Sequence, residues 1–393
     1  MGGNKMCNKE SRIIAFYLPQ YHCIPENDKW WGKGFTEWTN TKKARPLFEG
    51  HYQPKTPLNH NYYNLLDEKV MEDQATLAKK YGVYGFCYYH YWFKGGKKLL
   101  ERPIENMLKN RKIDIPFCLC WANENWSRRW DGGKDEVIME QDYGKKEDWE
   151  KHFQYLKQFF EDDRYIKIDN KPVLVIYKPQ LIPHLKEMLL YFRNCAKDNG
   201  FEDLVIMSQH PSWIVDKRYN YDYFDYMIKF EPFFTYTMLG KNVELVGKKI
   251  KNILWNYINE NDILLHCIDI LKIIRRIFEK KNVADVSELQ VKNYDEYWNY
   301  ILENELTSEK MIAGAFTDWD NTARRKNGLL FKGASPDKFG KYMKMLVENN
   351  SSKDNIIFIN AWNEWAEGAY LEPDEKYQYS YLEQLKKAID EIN

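Results

Sequence analysis

Eight short apolar runs, each closed by a polar and aromatic cluster and several followed by an amphipathic segment, predict an α/β chain folded as a (β/α)8 TIM barrel. The runs are nearly continuous in hydrophobicity rather than alternating, which is the pattern of parallel strands covered on both faces. They begin near Arg12 (RIIAFYLPQYH), Val83 (VYGFCYYHYW), Pro116 (PFCLCWANENW), Pro172 (PVLVIYKP), Leu204 (LVIMSQH), Tyr226 (YMIKFEP), Met311 (MIAGAFTDWDN) and Ile356 (IIFINAWNEW). Between them, Asp67–Tyr81 sets Val70, Leu77, Ala78 and Tyr81 near helical spacing. Glu147–Phe160 does the same with Trp149, Phe153, Leu156 and Phe160, and Leu181–Lys197 stops at Asn199-Gly200. Pro211–Asp225 is short for a loop plus a full helix, so a doubly wound open sheet is the alternative. Thr235–Glu305 is too long for one connection. It is expected to be a helical insertion between strands six and seven of a single catalytic domain spanning residues 1–393.

Composition narrows the partners. The 393 residues carry 58 Lys+Arg against 58 Asp+Glu, and a net charge of zero gives no electrostatic reason to expect nucleic acid. The start, MGGNKMCNKE, lacks an apolar signal core, and no run reaches about 18 apolar residues. No transmembrane segment and a cytoplasmic location are therefore expected, unless a leader has been removed. Met6 stands where a myristoylation signal wants Ser or Thr. Lys241–Lys281 holds nine Lys/Arg against five Asp/Glu, and Ile263–Phe278 within it is strongly apolar on one side. Such a helix can touch a membrane surface, although packing on the barrel with its basic face in water is the plainer reading. Seven cysteines without regular spacing suggest a reducing compartment, and Cys118-x-Cys120 reads as two buried thiols rather than a metal pair.

The aromatic excess points to a ligand. Eleven of the 14 tryptophans fall at or after strand ends, where barrel active sites lie. Rings beside carboxylates, amides and guanidinium groups suit a sugar, whose C–H faces pack on a ring while its hydroxyls take polar contacts. The competing reading is that these rings plug the barrel mouth. The sharpest cluster is Trp362-Asn363-Glu364-Trp365-Ala366-Glu367-Gly368, after the eighth run. Two carboxylates walled by indoles meet the needs of glycosidic chemistry, one protonated to serve the leaving oxygen and one ionised to act as base or nucleophile.

Other candidates for sugar contact follow the other strands. They are Tyr17, Gln20, Tyr21, Trp31, Glu37 and Trp38 after the first, and Tyr89, His90 and Trp92 at the second. Trp121, Asn123, Glu124, Trp126 and Arg128 follow the third, with Glu124 equally able to pair with Arg128 or Arg129 as a structural bridge. Tyr177, His210 and Glu231 close the fourth, fifth and sixth. The lone histidines read as hydrogen-bonding wall residues rather than catalysts. Asp318-Trp319-Asp320 has the D-x-D form by which nucleotide-sugar transferases hold a divalent cation. No glycine-rich phosphate loop accompanies it, so Asp318 and Trp319 are assigned to sugar binding, with no metal and no cofactor.

At these clusters the chain resembles a known family. FYLPQYH…NDKWWGKGFTEWTN, YGFCYYHYWF, LCWANENWSRRWDG and NAWNEWAEGAYLEPD are similar, in order, to the motifs of the WbsX-like proteins of bacterial surface polysaccharides. That family is usually labelled as glycosyltransferases of O-antigen lipopolysaccharide or capsule synthesis. It is itself similar to glycoside hydrolase family 99, barrel enzymes acting on α-mannosides. The resemblance runs from Arg12 to about Pro373 and implies that Glu364 is the base drawing a proton from the substrate's 2-hydroxyl, forming a 1,2-anhydro sugar. Glu367 would protonate the leaving oxygen and then activate water, with no metal required. Ala366 stands where the mannosidases commonly carry His, so mannose specificity does not carry over. The expectation is a glycoside hydrolase or transglycosidase taking an oligosaccharide or polysaccharide. The alternatives are a nucleotide-sugar-dependent glycosyltransferase and a non-catalytic glycan-binding barrel.

Overall fold

The computed structural model describes residues 11–127, 136–210, 221–240, 289–304, 309–325, 327–350 and 354–392. Eight parallel strands close on themselves: β1 (Arg12–Tyr17), β2 (Val83–Trp92), β3 (Phe117–Trp121), β4 (Lys171–Ile176), β5 (Val205–His210), β6 (Tyr226–Lys229), β7 (Met311–Phe316) and β8 (Ile356–Asn360). Each pairs with the next, and β8 returns to β1 with Arg12 opposite Ile356 and Ile13 opposite Ile357. An open doubly wound sheet would leave two edges. Here β1 is bonded on both sides, so the barrel stands and the open-sheet alternative falls.

Nearly every strand residue is buried, as continuous hydrophobic runs require. Inside the cylinder Phe16 of β1 reaches across to Phe230 just after β6, ring centres 5.3 Å apart, and also packs on Tyr89 and Phe358. These rings pack against one another inside the barrel. Gly314 on β7 has a steric reason. A Cβ there would lie 1.7 Å from the Lys229 carbonyl oxygen of β6, so the strand pair closes only over a glycine.

Nine α-helices have both ends among the described residues. In chain order they are α1 (Pro25–Trp31), α2 (Glu37–Lys43), α3 (Glu68–Lys80), α4 (Arg102–Lys109), α5 (Lys146–Phe160), α6 (Leu185–Asp198), α7 (Tyr294–Glu303), α8 (Pro336–Glu348) and α9 (Ser380–Asp390). Asp67 caps α3 by accepting from the Lys69 amide, and Gly200, at φ +86°, lies just beyond the end of α6. The three helices read from the sequence agree within a few residues. α6 starts later, after a 3-10 turn over Pro179–Leu181.

At the start of Thr235–Glu305, residues 235–240 are helical, and near its end α7 packs against the barrel. Trp298 of α7 is fully buried between Phe316 and Tyr342, stacked at 5.6 and 5.4 Å. The basic segment Lys241–Lys281 lies outside the described residues. Among the described residues, no helix is long and apolar enough to cross a membrane. Cys87, Cys118, Cys120 and Cys195 are buried free thiols.

Candidate active site

The segment after β8 is built so that two of its side chains face inward and the rest anchor it. Asn363-Glu364 pairs antiparallel with Ala369-Tyr370 across the turn Trp365–Glu367, and Gly368 adopts the left-handed conformation that closes it (φ +66°). Asn363 is clamped to β1's exit, accepting from the Leu18 amide at 2.7 Å and donating to its carbonyl at 3.0 Å. The Tyr21 hydroxyl donates to the Asn363 carbonyl, and the Trp365 amide donates to the Tyr21 oxygen at 3.3 Å. Both indoles turn outward to buried Glu372, Trp362 Nε1 at 3.1 Å and Trp365 Nε1 at 2.6 Å. With these three side chains committed to the frame, Glu364 and Glu367 are left facing a cavity of about 730 Å³ at the C-terminal mouth of the barrel.

Three carboxylates share one buried cation there. Arg324 Nε lies 3.0 Å from Glu37 Oε1, its Nη1 contacts Glu367 Oε1, and its Nη2 lies 3.6 Å from Glu364 Oε2. Burial works against the charge on Arg324, but Glu367, Glu37 and Glu364 outweigh it and hold its pKa above the usual guanidinium value. Glu364 is 7 % exposed. Burial and the neighbouring Glu367 push its carboxyl well above the ordinary range, against the pull of Arg324. Glu367 is half-buried by comparison and moves the same way, raised by burial while Arg324 opposes. Glu364 Oε2 accepts no hydrogen bond from any described residue. The pair therefore retains a proton well above the usual carboxylate range and offers an unused acceptor.

The cavity walls bring together part of the expected set. Tyr89, Glu124, Trp126, Tyr177, Trp319, Glu364 and Glu367 line it. Glu124 pairs with Lys178, another wall residue, and the arginines of its own loop lie outside the described residues. Gln20, Trp31 and Glu37 line a side pocket that shares Trp126, Ser127 and Arg324 with the main cavity.

Other expected contacts are corrected, because the scaffold holds each of them by a polar bond or by packing. Trp362 and Trp365 are buried against Glu372 and do not wall the acid pair. Tyr17 donates to Gln74 at 2.6 Å, Tyr21 serves Asn363, and Trp38 donates to the Tyr63 carbonyl at 2.8 Å. Asn363 is the clamp just described. Asn123 is fully buried and exchanges two 2.7 Å bonds with the Lys178 backbone, fastening the β3 exit to the β4 exit. His90 contacts His152 at 3.0 Å, and burial drops its pKa to about 3, which keeps it neutral in the core. Trp92 stacks on His152 at 4.6 Å, and Trp121 donates to the Trp92 carbonyl. Glu231 accepts from the amide and hydroxyl of Thr235, and burial raises it to about 7. Arg128 and the side chain of His210 lie outside the described residues.

The D-x-D carboxylates are occupied as well. Asp318 faces Lys55 at 3.5 Å, while Asp320 takes His51 at 2.9 Å, Gln53 at 2.8 Å and Thr322. Burial opposes the charge on Asp320, yet those contacts hold it below the usual carboxylate value. The backbone of Asp320 matters too, since its amide donates to the Glu367 carbonyl at 2.7 Å. Sequence reasoning missed Arg324, Arg325, Asn321 and Asn360 on the wall. The run Asp320-Asn-Thr-Ala-Arg-Arg beyond strand seven was the available signal for the arginines.

The site thus sets two neighbouring carboxylates and aromatic walls at the C-terminal mouth of a (β/α)8 barrel. Residues 13–385 match the family described as Glycosyltransferase WbsX, and the chain belongs to that family. It is 34 % identical over 385 residues to protein WxcX of Xanthomonas campestris pv. campestris strain B100, covering 96 % of this chain and 49 % of that one. The corresponding protein of strain ATCC 33913 is 35 % identical over 383 residues, again 96 % and 49 %. The chain thus spans about half the length of these curated relatives. Among solved structures, a glycoside hydrolase-like protein superposes with TM-score 0.55 at 15 % identity, covering 97 % of this chain and 94 % of that one. The GH99 endo-alpha-mannosidase from Bacteroides thetaiotaomicron does so with TM-score 0.53 at 12 % identity, covering 97 % of each. At such identities the structural likeness speaks for the fold.

Proposed function

We propose that this protein acts on glycosidic bonds of a bacterial surface polysaccharide, with Glu364 and Glu367 as its acid–base pair. The observation that carries the reading is that both carboxylates face one cavity of about 730 Å³ and share one guanidinium. Tyr89, Trp126, Tyr177 and Trp319 supply ring faces for sugar C–H groups, and Asn125, Asn321 and Asn360 supply polar contacts.

Bond breaking needs one proton delivered to the leaving oxygen and one accepted elsewhere. In the reading that follows from the family resemblance, Glu364 takes the 2-hydroxyl proton as O2 bonds to C1. The C1–leaving-oxygen bond breaks as Glu367 gives up its proton. Water then adds at C1 as the C1–O2 bond breaks, losing a proton to Glu367, while O2 recovers its own from Glu364. In the free protein Glu364 is the deeper acid, and Glu367 touches Arg324. Sugar binding must therefore loosen the Arg324–Glu367 contact, so that the shared proton rests on Glu367 and Glu364 is free to act as base.

The test is turnover of a panel of α-linked oligosaccharides. Glu364→Gln and Glu367→Gln should each lower it by about 10²–10⁴-fold or more while glycan binding persists, and EDTA should leave it unchanged. Full activity in either variant overturns the reading. The family description favours a second reading, a nucleotide-sugar-dependent glycosyltransferase. That reading requires turnover of UDP- or GDP-sugars that depends on Mn²⁺ or Mg²⁺ and on Asp318 or Asp320. A barrel that only binds glycan would show affinity without turnover in the wild type.

A further inference from the structure

The side pocket behind Arg324 has a chemistry that the acid pair does not use. Gln20, Asn27, Trp31, Phe35, Glu37 and Asn40 enclose it, and it meets the main cavity at Trp126, Ser127 and Arg324. Its volume is about 30 Å³, room for two or three water-sized groups and too little for a pyranose ring. Trp31 and Phe35 stack at 5.1 Å and give it an aromatic wall. Two of its polar residues are occupied, Gln20 donating to the Tyr91 hydroxyl at 2.9 Å and Asn40 to Glu37 at 3.2 Å. Asn27 differs. It is 1 % exposed, the one buried residue of α1, and its Oδ1 accepts from no described residue. A buried amide oxygen left without a donor is costly unless something enters to satisfy it.

We propose that this pocket receives the acylamino arm of a 2-acetamido-type sugar adjoining the bond that is cleaved. An acylamino group brings an N–H for Asn27 Oδ1, and its methyl packs on the Trp31–Phe35 wall. A hydroxymethyl group would leave the aromatic wall unfilled, and a carboxylate would meet Glu37. The arm belongs to the neighbouring sugar because the sugar cleaved at C1 keeps a free 2-hydroxyl for Glu364. The inference rests on the proposed carbohydrate activity and adds a substrate class to it.

Paired α-linked disaccharides that differ only in a 2-acetamido or 2-hydroxyl group on the reducing-side sugar test it. Binding to the Glu364→Gln variant is measured by titration calorimetry, with turnover measured on wild type. The acetamido member should bind at least about ten-fold more tightly, the discrimination expected of a site built around a hydrogen bond. Asn27→Ala and the near-isosteric Asn27→Leu, which both lack the acceptor, should each bring that ratio toward one. Circular dichroism melting establishes that the variants are folded, and Trp31→Ala provides a second route should Asn27 variants fail to fold. Equal affinity for both members, or a ratio untouched by Asn27 and Trp31 variants, overturns the inference while leaving the enzyme reading intact. Absence of binding and turnover for every glycan overturns the functional reading itself.

Discussion

Removing Arg324 tests the electrostatic logic of the site most directly. Its guanidinium lies 3.0 Å from Glu37 and 3.6 Å from Glu364 and contacts Glu367, so Arg324→Gln leaves three carboxylates with no shared cation. At an effective dielectric constant near 20, Coulomb attraction at those two distances is roughly 5 kcal/mol each, before the cost of burying the charges. Mutations that strand a buried charge typically cost about 3–5 kcal/mol, and that is the loss expected here at pH 8. The sign with pH follows from the carboxyls. Glu364 and Glu367 already have raised pKa values from burial, and losing Arg324 raises them further. A group whose folded pKa is raised gives stability that is complete below its unfolded value of about 4.3 and is lost as pH climbs through the folded value. The variant should therefore be only mildly destabilised at pH 4.5 and severely at pH 8. Arg324→Lys should recover part of the difference. Thermal or denaturant unfolding at the two pH values reads this out, and an equal loss at both, or no advantage for Lys, refutes the shared-cation account.

Four further outcomes are expected. Glu372 is raised to about 7 by burial despite donors from Trp365, Tyr63, Gln74 and Trp362, so it favours the folded state at low pH and ceases to do so as pH passes 7. Glu372→Gln should remove about 3 kcal/mol of that decline between pH 4.5 and 8, seen as a flatter stability profile. Trp298→Ala empties the slot between Phe316 and Tyr342 and should cost about 3–5 kcal/mol in denaturant titration. Gly314→Ala drives a methyl into the Lys229 carbonyl and should cost at least about 1–3 kcal/mol, by the same measurement. Asp320→Asn weakens the His51 bond while its amide still holds the Glu367 carbonyl, so turnover of α-linked glycans should fall far less than in Glu367→Gln.

Burial pattern and strand number pointed to the barrel. The eight runs are hydrophobic on both faces, as parallel strands covered by helices require, and it is the pairing of β8 with β1 that excludes an open doubly wound sheet. The acid pair was legible for a similar reason, since Glu364 and Glu367 sit at the end of the last strand, where every barrel opens. What the chain order concealed was the direction of each ring. Trp362 and Trp365 looked like cavity walls, but a residue 7 positions beyond the second of them, Glu372, draws both indoles outward. His90 likewise looked like a wall residue until α5 placed His152 against it.

Sequence alone therefore pointed to the architecture and to two carboxylates at the end of its last strand, because strand periodicity and position along the chain are local properties. Tertiary structure decided what charges and faces those carboxylates meet. Arg324, Glu37 and Asn27 come from segments some 40 to more than 300 residues away from the pair, and only the closed cylinder brings them to one mouth. A carboxyl's proton affinity depends on desolvation and on charges a few ångströms off, which spacing along the chain does not record.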